Sequence, residues 1–245
     1  MKMLVRLLAQ AWRWLVASLP NRCIACHQGL SVTESGICRI CLSDGLYQQS
    51  ICLGCGRSMS IVQAYCGGCQ ADEPIKVIAP CSYHQGLGAW IAAMKYQRQL
   101  AILQPLSAAL HQRVLLLIQQ ELITMPQAIV AVPLHSKRLR QRGFNQAWLI
   151  AQALSELTGL PLVDDKLIRT VNTQSQAGLD GKQRRDNLSQ AFELEDGFPY
   201  QRIALVDDVV TTGTTVNEIT RLFSKQFVHV QVWCLARAEA PNLLD

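Results

Sequence analysis

Ile203 to Thr215 reads IALVDDVVTTGTT, and the order of residue types in it decides the fold. Four apolar residues, Ile203 to Val206, suit a short strand buried on both faces of a parallel sheet, and two carboxylates, Asp207 and Asp208, follow at its carboxyl end. Thr211, Thr212, Gly213, Thr214 and Thr215 then supply small side chains, hydroxyls and one glycine. Directly after them, Val216, Ile219 and Phe223 recur at helical spacing. The stretch is a strand, an acidic edge, a tight turn and a helix N-terminus. Backbone N–H groups at such a terminus, with threonine hydroxyls beside them, form a cradle for phosphate that the helix dipole favours further. The two acids can accept hydrogen bonds from vicinal hydroxyls. A sugar phosphate meets both demands.

Outward from this stretch the sequence alternates. Ile75 to Tyr83 reads as a strand, Leu87 to Tyr96 as a helix, Leu100 to Leu122 as a longer apolar helix that is expected to be buried, and Ala128 to Val132 as a second short strand. Phe144 to Leu157 and Val216 to Ser224 read as helices, and Phe227 to Leu235 as a final strand. The expectation is an α/β fold, a parallel sheet with helices on both faces that binds its ligand at the carboxyl ends of the strands.

Two further loops fall near that edge. Pro133 to Asn145 (PLHSKRLRQRGFN) follows a strand and carries Lys137, Arg138, Arg140 and Arg142, the last directly before the next helix, where a pyrophosphate could be held. Arg169 to Asn187 is long, polar and basic, with Lys182, Arg184 and Arg185. A loop of this length inside a compact domain suits a lid over the ligand.

With 49% hydrophobic and 17% charged residues in 245, the chain has the makeup of a globular protein and not of a disordered one. Its net charge of +5 permits contact with phosphates or nucleic acid without requiring it. Residues 1–20 place Leu4, Leu8, Ala11 and Leu15 on one helical face and Arg6, Gln10 and Arg13 on another, an amphipathic helix read as packing on the protein. Gln10 and Arg13 interrupt the apolar core that a signal peptide needs, and the segment is too short and polar to span a bilayer. No other stretch is read as a transmembrane segment, and a cytoplasmic location is expected.

Eight of the ten cysteines form four CxxC pairs, Cys23/Cys26, Cys38/Cys41, Cys52/Cys55 and Cys66/Cys69, separated by 11, 10 and 10 residues. Two such pairs complete a tetrahedral sulfur site, so two structural Zn2+ ions would use all eight thiolates. Disulfides would need an oxidising compartment, a c-type haem at CIACH (23–27) would leave three pairs unexplained, and an iron–sulfur cluster would use the same ligands; zinc is the preferred reading. Consecutive pairs are favoured over a cross-brace. The module occupies residues 21–73, with the polar QADEP (70–74) as the boundary. Cys81 and Cys234 sit in apolar surroundings and read as buried small side chains, and His84, His111 and His135 have no partner spacing.

The central stretch resembles the phosphoribosyl-pyrophosphate (PRPP) motif of type I phosphoribosyltransferases. Together with the CxxC pairs, MKY (94–96), RGFNQ (142–146) and the loop 169–187, it resembles the ComF/GntX family over almost the whole of residues 23–237. The resemblance implies that residues 74–245 form a phosphoribosyltransferase-like domain. It also implies that Asp207 and Asp208 contact ribose hydroxyls, Thr211 to Thr215 hold the 5′-phosphate, and Mg2+ accompanies PRPP in an active enzyme. Arg138 and Arg142 are the candidates for pyrophosphate. The 6-oxopurine transferases carry an Asp where Thr211 stands here, and no catalytic base is evident. The implied biology is DNA uptake or use of external DNA, with either phosphoribosyl transfer or a non-catalytic role. In the latter the ribbons and basic loops bind single-stranded DNA or a DNA-uptake protein.

Overall fold

The computed structural model describes residues 21–31, 33–97, 99–171 and 191–239; the helix read at 1–20 and the residues 172–190 lie outside them. In chain order the elements are α1 (Arg39–Gly45), β1 (Ser50–Ile51), β2 (Ser58–Met59), β3 (Val77–Ile78), β4 (Cys81–Ser82), α2 (Gly88–Gln97), a 3-10 turn (Leu100–Ile102) and α3 (Leu103–Gln119). There follow β5 (Ala128–Ala131), α4 (Ser136–Arg142), α5 (Gln146–Thr158), β6 (Leu162–Val163), β7 (Leu167–Arg169), β8 (Phe192–Leu194), β9 (Arg202–Val210), α6 (Thr214–Lys225) and β10 (His229–Arg237).

The main sheet runs β3-β10-β9-β5-β6, with β4 also on β10, and every pairing is parallel. Its middle is dry: Ile203 to Val206 and Val232 to Ala236 are fully buried. The connections explain why both faces are covered. From β5 the chain crosses through α5 to β6 on one side, and from β9 it crosses through α6 to β10 on the other. Right-handed crossovers in opposite directions put their helices on opposite faces. α3 and α5 pack together over β9, β10 and β5, while α6 packs on β10 and β8.

Several elements differ from the sequence reading. The central strand runs on through both acids to Val210, because β10 accompanies it there, Ala236 opposite Val209 and Arg237 opposite Val210. The strand read at Ile75 to Tyr83 is two short pieces, broken beside Pro80, which has no N–H to give to a ladder. The basic loop contains α4: His135 caps it, accepting from the Lys137 N–H at 3.2 Å, and Gly143 ends it at φ 84°. β6 and the antiparallel β7–β8 hairpin, two or three residues per strand, were too short to show a pattern.

Leu100–Gln119 is long and apolar enough to cross a membrane by length and composition, a property the sequence reading gave to no stretch. Within it Leu103, Leu106, Leu110, Val114 and Leu117 form a buried stripe against the sheet and α5, the pattern of a core helix. Cys81 and Cys234 are buried as expected, their thiols donating to the carbonyls of Leu235 (3.2 Å) and Ile78 (3.7 Å).

The cysteine module is seated on this frame by close contact. Gly36, at φ +72°, lies so near the 3-10 turn that a Cβ there would stand 2.1 Å from the Ala101 carbonyl oxygen. Gly36→Ala is expected to destabilise the zinc-loaded protein by about 2–3 kcal/mol, through strain and displacement together, read as a lower midpoint in denaturant. An unchanged midpoint would show that this seat is soft.

Candidate ligand site and metal centres

The connections from β5 and β9 leave in opposite directions, so the gap between their carboxyl ends is the topological switch point of the sheet, where open parallel sheets bind ligands. β5 stops with Ala131 opposite Val206, and the Val132 N–H still reaches the Val206 carbonyl at 2.9 Å. Beyond that point β9 carries Asp207 and Asp208 along an open flank. Successive strand residues face opposite sides. Asp207 accepts from the Asp208 N–H and Asp208 from the Val209 N–H, each at 2.8 Å, and Asp208 is only 7% exposed.

The chain then turns at Gly213, φ +73°, the cap of α6, whose carbonyl accepts from the Asn217 N–H at 2.8 Å. Thr212 and Thr214 share a hydroxyl contact of 2.8 Å. Residues Thr211 to Thr215 line a cavity of about 30 Å³ with Asp207, room for a compact anion and not for a sugar or base.

Arginines gather opposite. Arg138 and Arg142 stand on α4, and Asn145 ties that segment to the sheet: its Nδ2 donates to the Val132 carbonyl at 3.0 Å while its Oδ1 accepts from the Ala147 N–H at 3.1 Å. Arg169, at the end of β7, stacks over the Phe192 ring at 5.2 Å. Burial first, then the charge of Arg138, brings the Arg169 pKa down to about 10, with Asp207 opposing the shift and Arg142 adding to it. Burial and the neighbouring Arg142 likewise lower that of Arg138. The four charges thus act on one another across the switch point.

Sequence reasoning quoted Arg169 only as the first residue of a loop; its place depends on the β7–β8 hairpin, which no local signal announces. Gln146, quoted only as the end of RGFNQ and given no role, is a polar residue buried at the start of α5, 2% exposed with its Nε2 unpartnered among the described residues. Lys182, Arg184 and Arg185 lie outside the described residues.

A larger cavity of about 410 Å³ opens at the other edge, lined in part by Lys76, Arg202, Thr220 and His229. Lys76 donates to the Leu122 carbonyl at 2.9 Å, just past α3, and Ser224 brings the end of α6 to the cavity. Helix C-termini favour cations, so this cavity is a poor anion site.

The thiols converge in consecutive pairs. The sulfurs of Cys23, Cys26, Cys38 and Cys41 lie within 4.8 Å of one another, as do those of Cys52, Cys55, Cys66 and Cys69. Both clusters repeat one bonding scheme. The Cys38 N–H points at the Cys23 sulfur (3.4 Å) and the Cys66 N–H at the Cys52 sulfur (3.2 Å). The Ile24 N–H reaches the Gly36 carbonyl and the Leu53 N–H that of Ala64, each at 2.8 Å. Burial opposes ionisation of the leading thiols, but backbone N–H groups outweigh it, bringing Cys23 to about 6 and Cys52 to about 7. Thiolates in compact tetrads fit structural zinc. Stripping the metal with a chelator is expected to unfold residues 21–73 cooperatively, seen as loss of amide-exchange protection there; retained protection would show that the module stands without metal.

Residues 14–70 match the family model of the double zinc ribbon domain. Competence protein F of Haemophilus influenzae is 38% identical over 223 residues, covering 89% of this chain and 97% of that protein. DNA utilization protein YhgH of Salmonella typhimurium and of Escherichia coli K12 is 33% identical over 223 residues, covering 90% and 98%. Among solved structures, adenine phosphoribosyltransferase of Saccharomyces cerevisiae overlaps 52% of this chain and 68% of its own at 16% identity and a TM-score of 0.33. The Leishmania donovani enzyme overlaps 62% and 72% at 13% identity and a TM-score of 0.37. The sequence relatives cover about nine-tenths of this chain and nearly all of their own length: this chain belongs to the family of Competence protein F and DNA utilization protein YhgH, the ComF family that its motifs resemble.

Proposed function

We propose that the switch-point crevice binds a 5-phosphorylated ribose, with PRPP as the ligand that fits every part. The observation that carries this is the convergence of Arg138, Arg142 and Arg169 on the flank of Asp207, beside the threonine loop at the start of α6. Thr211 to Thr215 take the 5′-phosphate with backbone N–H groups and hydroxyls. Asp207 and Asp208 accept from the ribose hydroxyls, and the arginines meet the pyrophosphate, which a planar guanidinium binds through two oxygens. Mg2+ would come with the ligand, held by pyrophosphate oxygens and not by an all-protein cage.

In an enzyme of this kind a nucleophile forms a bond to the anomeric carbon as the carbon–oxygen bond to pyrophosphate breaks, the electron pair leaving with pyrophosphate. The residues described here would serve that step by fixing the ribose and stabilising the leaving anion. Within this reading the binding serves competence or DNA utilization, the roles in the relatives' names, and the protein works in the cytoplasm. A second reading, an adaptor that binds the ligand without turnover, is favoured by Ile40, Ile61 and Val62 on the cysteine module, whose exposures of 79%, 59% and 56% suit a protein partner.

Calorimetric titration of PRPP with Mg2+ into the zinc-loaded protein tests the site. Binding is expected, and Asp207→Asn with Asp208→Asn should weaken it at least tenfold, since each lost charged hydrogen bond is worth about 1.5–3 kcal/mol. Arg169→Gln should weaken PRPP more than ribose 5-phosphate, because only PRPP carries the pyrophosphate. A wild-type protein that binds neither ligand would sink the reading, and pyrophosphate release on adding nucleobases would separate the enzyme from the adaptor.

A further inference from the structure

The two cysteine clusters are built alike but joined to the sheet differently. The tip of the second, Leu53 and Gly54 between Cys52 and Cys55, is gripped by Arg237, the last residue of β10. Arg237 is 7% exposed; its Nη1 donates to the Leu53 carbonyl at 2.9 Å and its Nη2 to the Gly54 carbonyl. The Leu53 carbonyl also accepts the Val77 N–H at 2.9 Å, so one knuckle oxygen is bonded at once to the β3 backbone and to β10. Gly56, at φ +86°, makes the approach feasible: a Cβ would stand 3.0 Å from Cδ and Nε of Arg237. Two residues on, Glu239 is equally buried and accepts from the Ser82 hydroxyl at 2.8 Å and from the Tyr47 hydroxyl, which comes from the chain between the clusters.

The other side of this grip is the phosphate loop. Arg237 is in register with Val210, and the Ala238 N–H donates to the Val210 carbonyl at 2.9 Å. Val210 is the residue from which Thr211 to Thr215 depart. The path from the second knuckle to the loop is thus one charged side chain and one ladder pairing. The first cluster instead meets the 3-10 turn, with Gly36 against Ala101.

We propose that Arg237 is a positioning residue that couples metal in the Cys52/Cys55/Cys66/Cys69 cluster to the geometry of the loop 211–215, so that the two zinc ions are not equivalent. Metal in the second cluster holds the Leu53 and Gly54 carbonyls where the guanidinium can reach them. The guanidinium, so anchored, holds the end of β10 against Val210. Among the described residues, no side-chain hydrogen bond joins the turns of the first cluster, 23–41, to β10, and the nearest link, Tyr47 to Glu239, starts beyond them. The consequence for ligand affinity rests on the ribose-phosphate reading of the loop; the coupling itself does not.

Amide exchange on the zinc-loaded full chain decides it, with Arg237→Ala and Arg237→Lys set beside Glu34→Ala. Glu34 serves as control because it braces the first cluster alone, accepting from the N–H groups of Ser31 (3.0 Å) and Arg39 (2.7 Å). In Arg237→Ala, exchange is expected to rise about tenfold at both 53–56 and 211–215, the loss of charged hydrogen bonds. A chelator should then take one of the two zinc ions faster, and ribose 5-phosphate should bind several-fold more weakly. Arg237→Lys keeps one charged donor and should recover part of the protection. It also serves as the readable variant if the alanine protein does not fold. Glu34→Ala should loosen residues 31–39 and leave 211–215 unchanged. Unchanged exchange at 211–215 in both Arg237 variants, or an equal rise in Glu34→Ala, would overturn the coupling. If the wild type does not bind ribose 5-phosphate, the ligand reading fails while the exchange result still judges the coupling.

Discussion

The structure turns on a difference in length between neighbouring strands. β5 pairs with β9 only as far as Val206, whereas β10 pairs with it to Val210. On one flank the backbone of Asp207 to Val210 is therefore locked in a ladder, and on the other it borders an opening. A strand paired on one side beyond the end of its neighbour on the other keeps its side chains in fixed register. Because the connections diverge at this place, neither α5 nor α6, the described crossover helices, covers the gap.

Three like charges act on one another near the switch point. Arg138 and Arg142 act unfavourably on Arg169, Arg142 does so on Arg138, and Asp207 acts in the opposite sense on Arg169. Arg169 remains protonated at neutral pH with its pKa near 10, so the repulsion is not relieved by losing a proton. In the proposed reading, the pyrophosphate of the ligand lies among these guanidinium groups. The Asn145 double hydrogen bond strengthens the argument, because it fixes the arginine-bearing segment to the end of β5.

What the sequence showed and hid follows from how local each feature is. IALVDDVVTTGTT was legible because strand, acids, turn and helix start are contiguous, and the CxxC spacings because two ligands of each site share one turn. Helix α4 was hidden by composition: SKRLRQR is basic enough to pass for a solvated loop, although His135 ahead of it and Gly143 behind it are a cap and a stop. Arg169 could not be found that way. Its position depends on β7 pairing with β8 across residues that separate them by more than twenty positions, and on the Phe192 ring under its guanidinium. The break between β3 and β4 was announced by Pro80, yet both pieces add to the same edge of β10, which only the register reveals.

The cysteine module is a small segment with few apolar side chains, and it does not carry a core of its own. Cys23, Ile37 and Leu53 belong to the same buried cluster as the sheet residues Val77, Ile78 and Leu235. Gly45 lies so close to Leu87 that a Cβ would stand 2.4 Å from its Cγ, and at Gly54 a Cβ would be 2.6 Å from the Pro74 ring. Surfaces that meet this closely must be held to shape, and in a segment without a core the shape comes from tetrahedral metal ligation. The polar backbone of the knuckles then becomes a fixed array of carbonyls, and the buried guanidinium of Arg237 gives them its Nη1 and Nη2 hydrogens, while its Nε is buried with no partner among the described residues. Glu239, which would otherwise be the obvious mate for Arg237, is bonded to Tyr47 and Ser82 instead. The end of β10 is therefore tied to the module by two separate polar contacts of opposite sign, each satisfied by groups that the metal-bound turns and the chain between them hold in place.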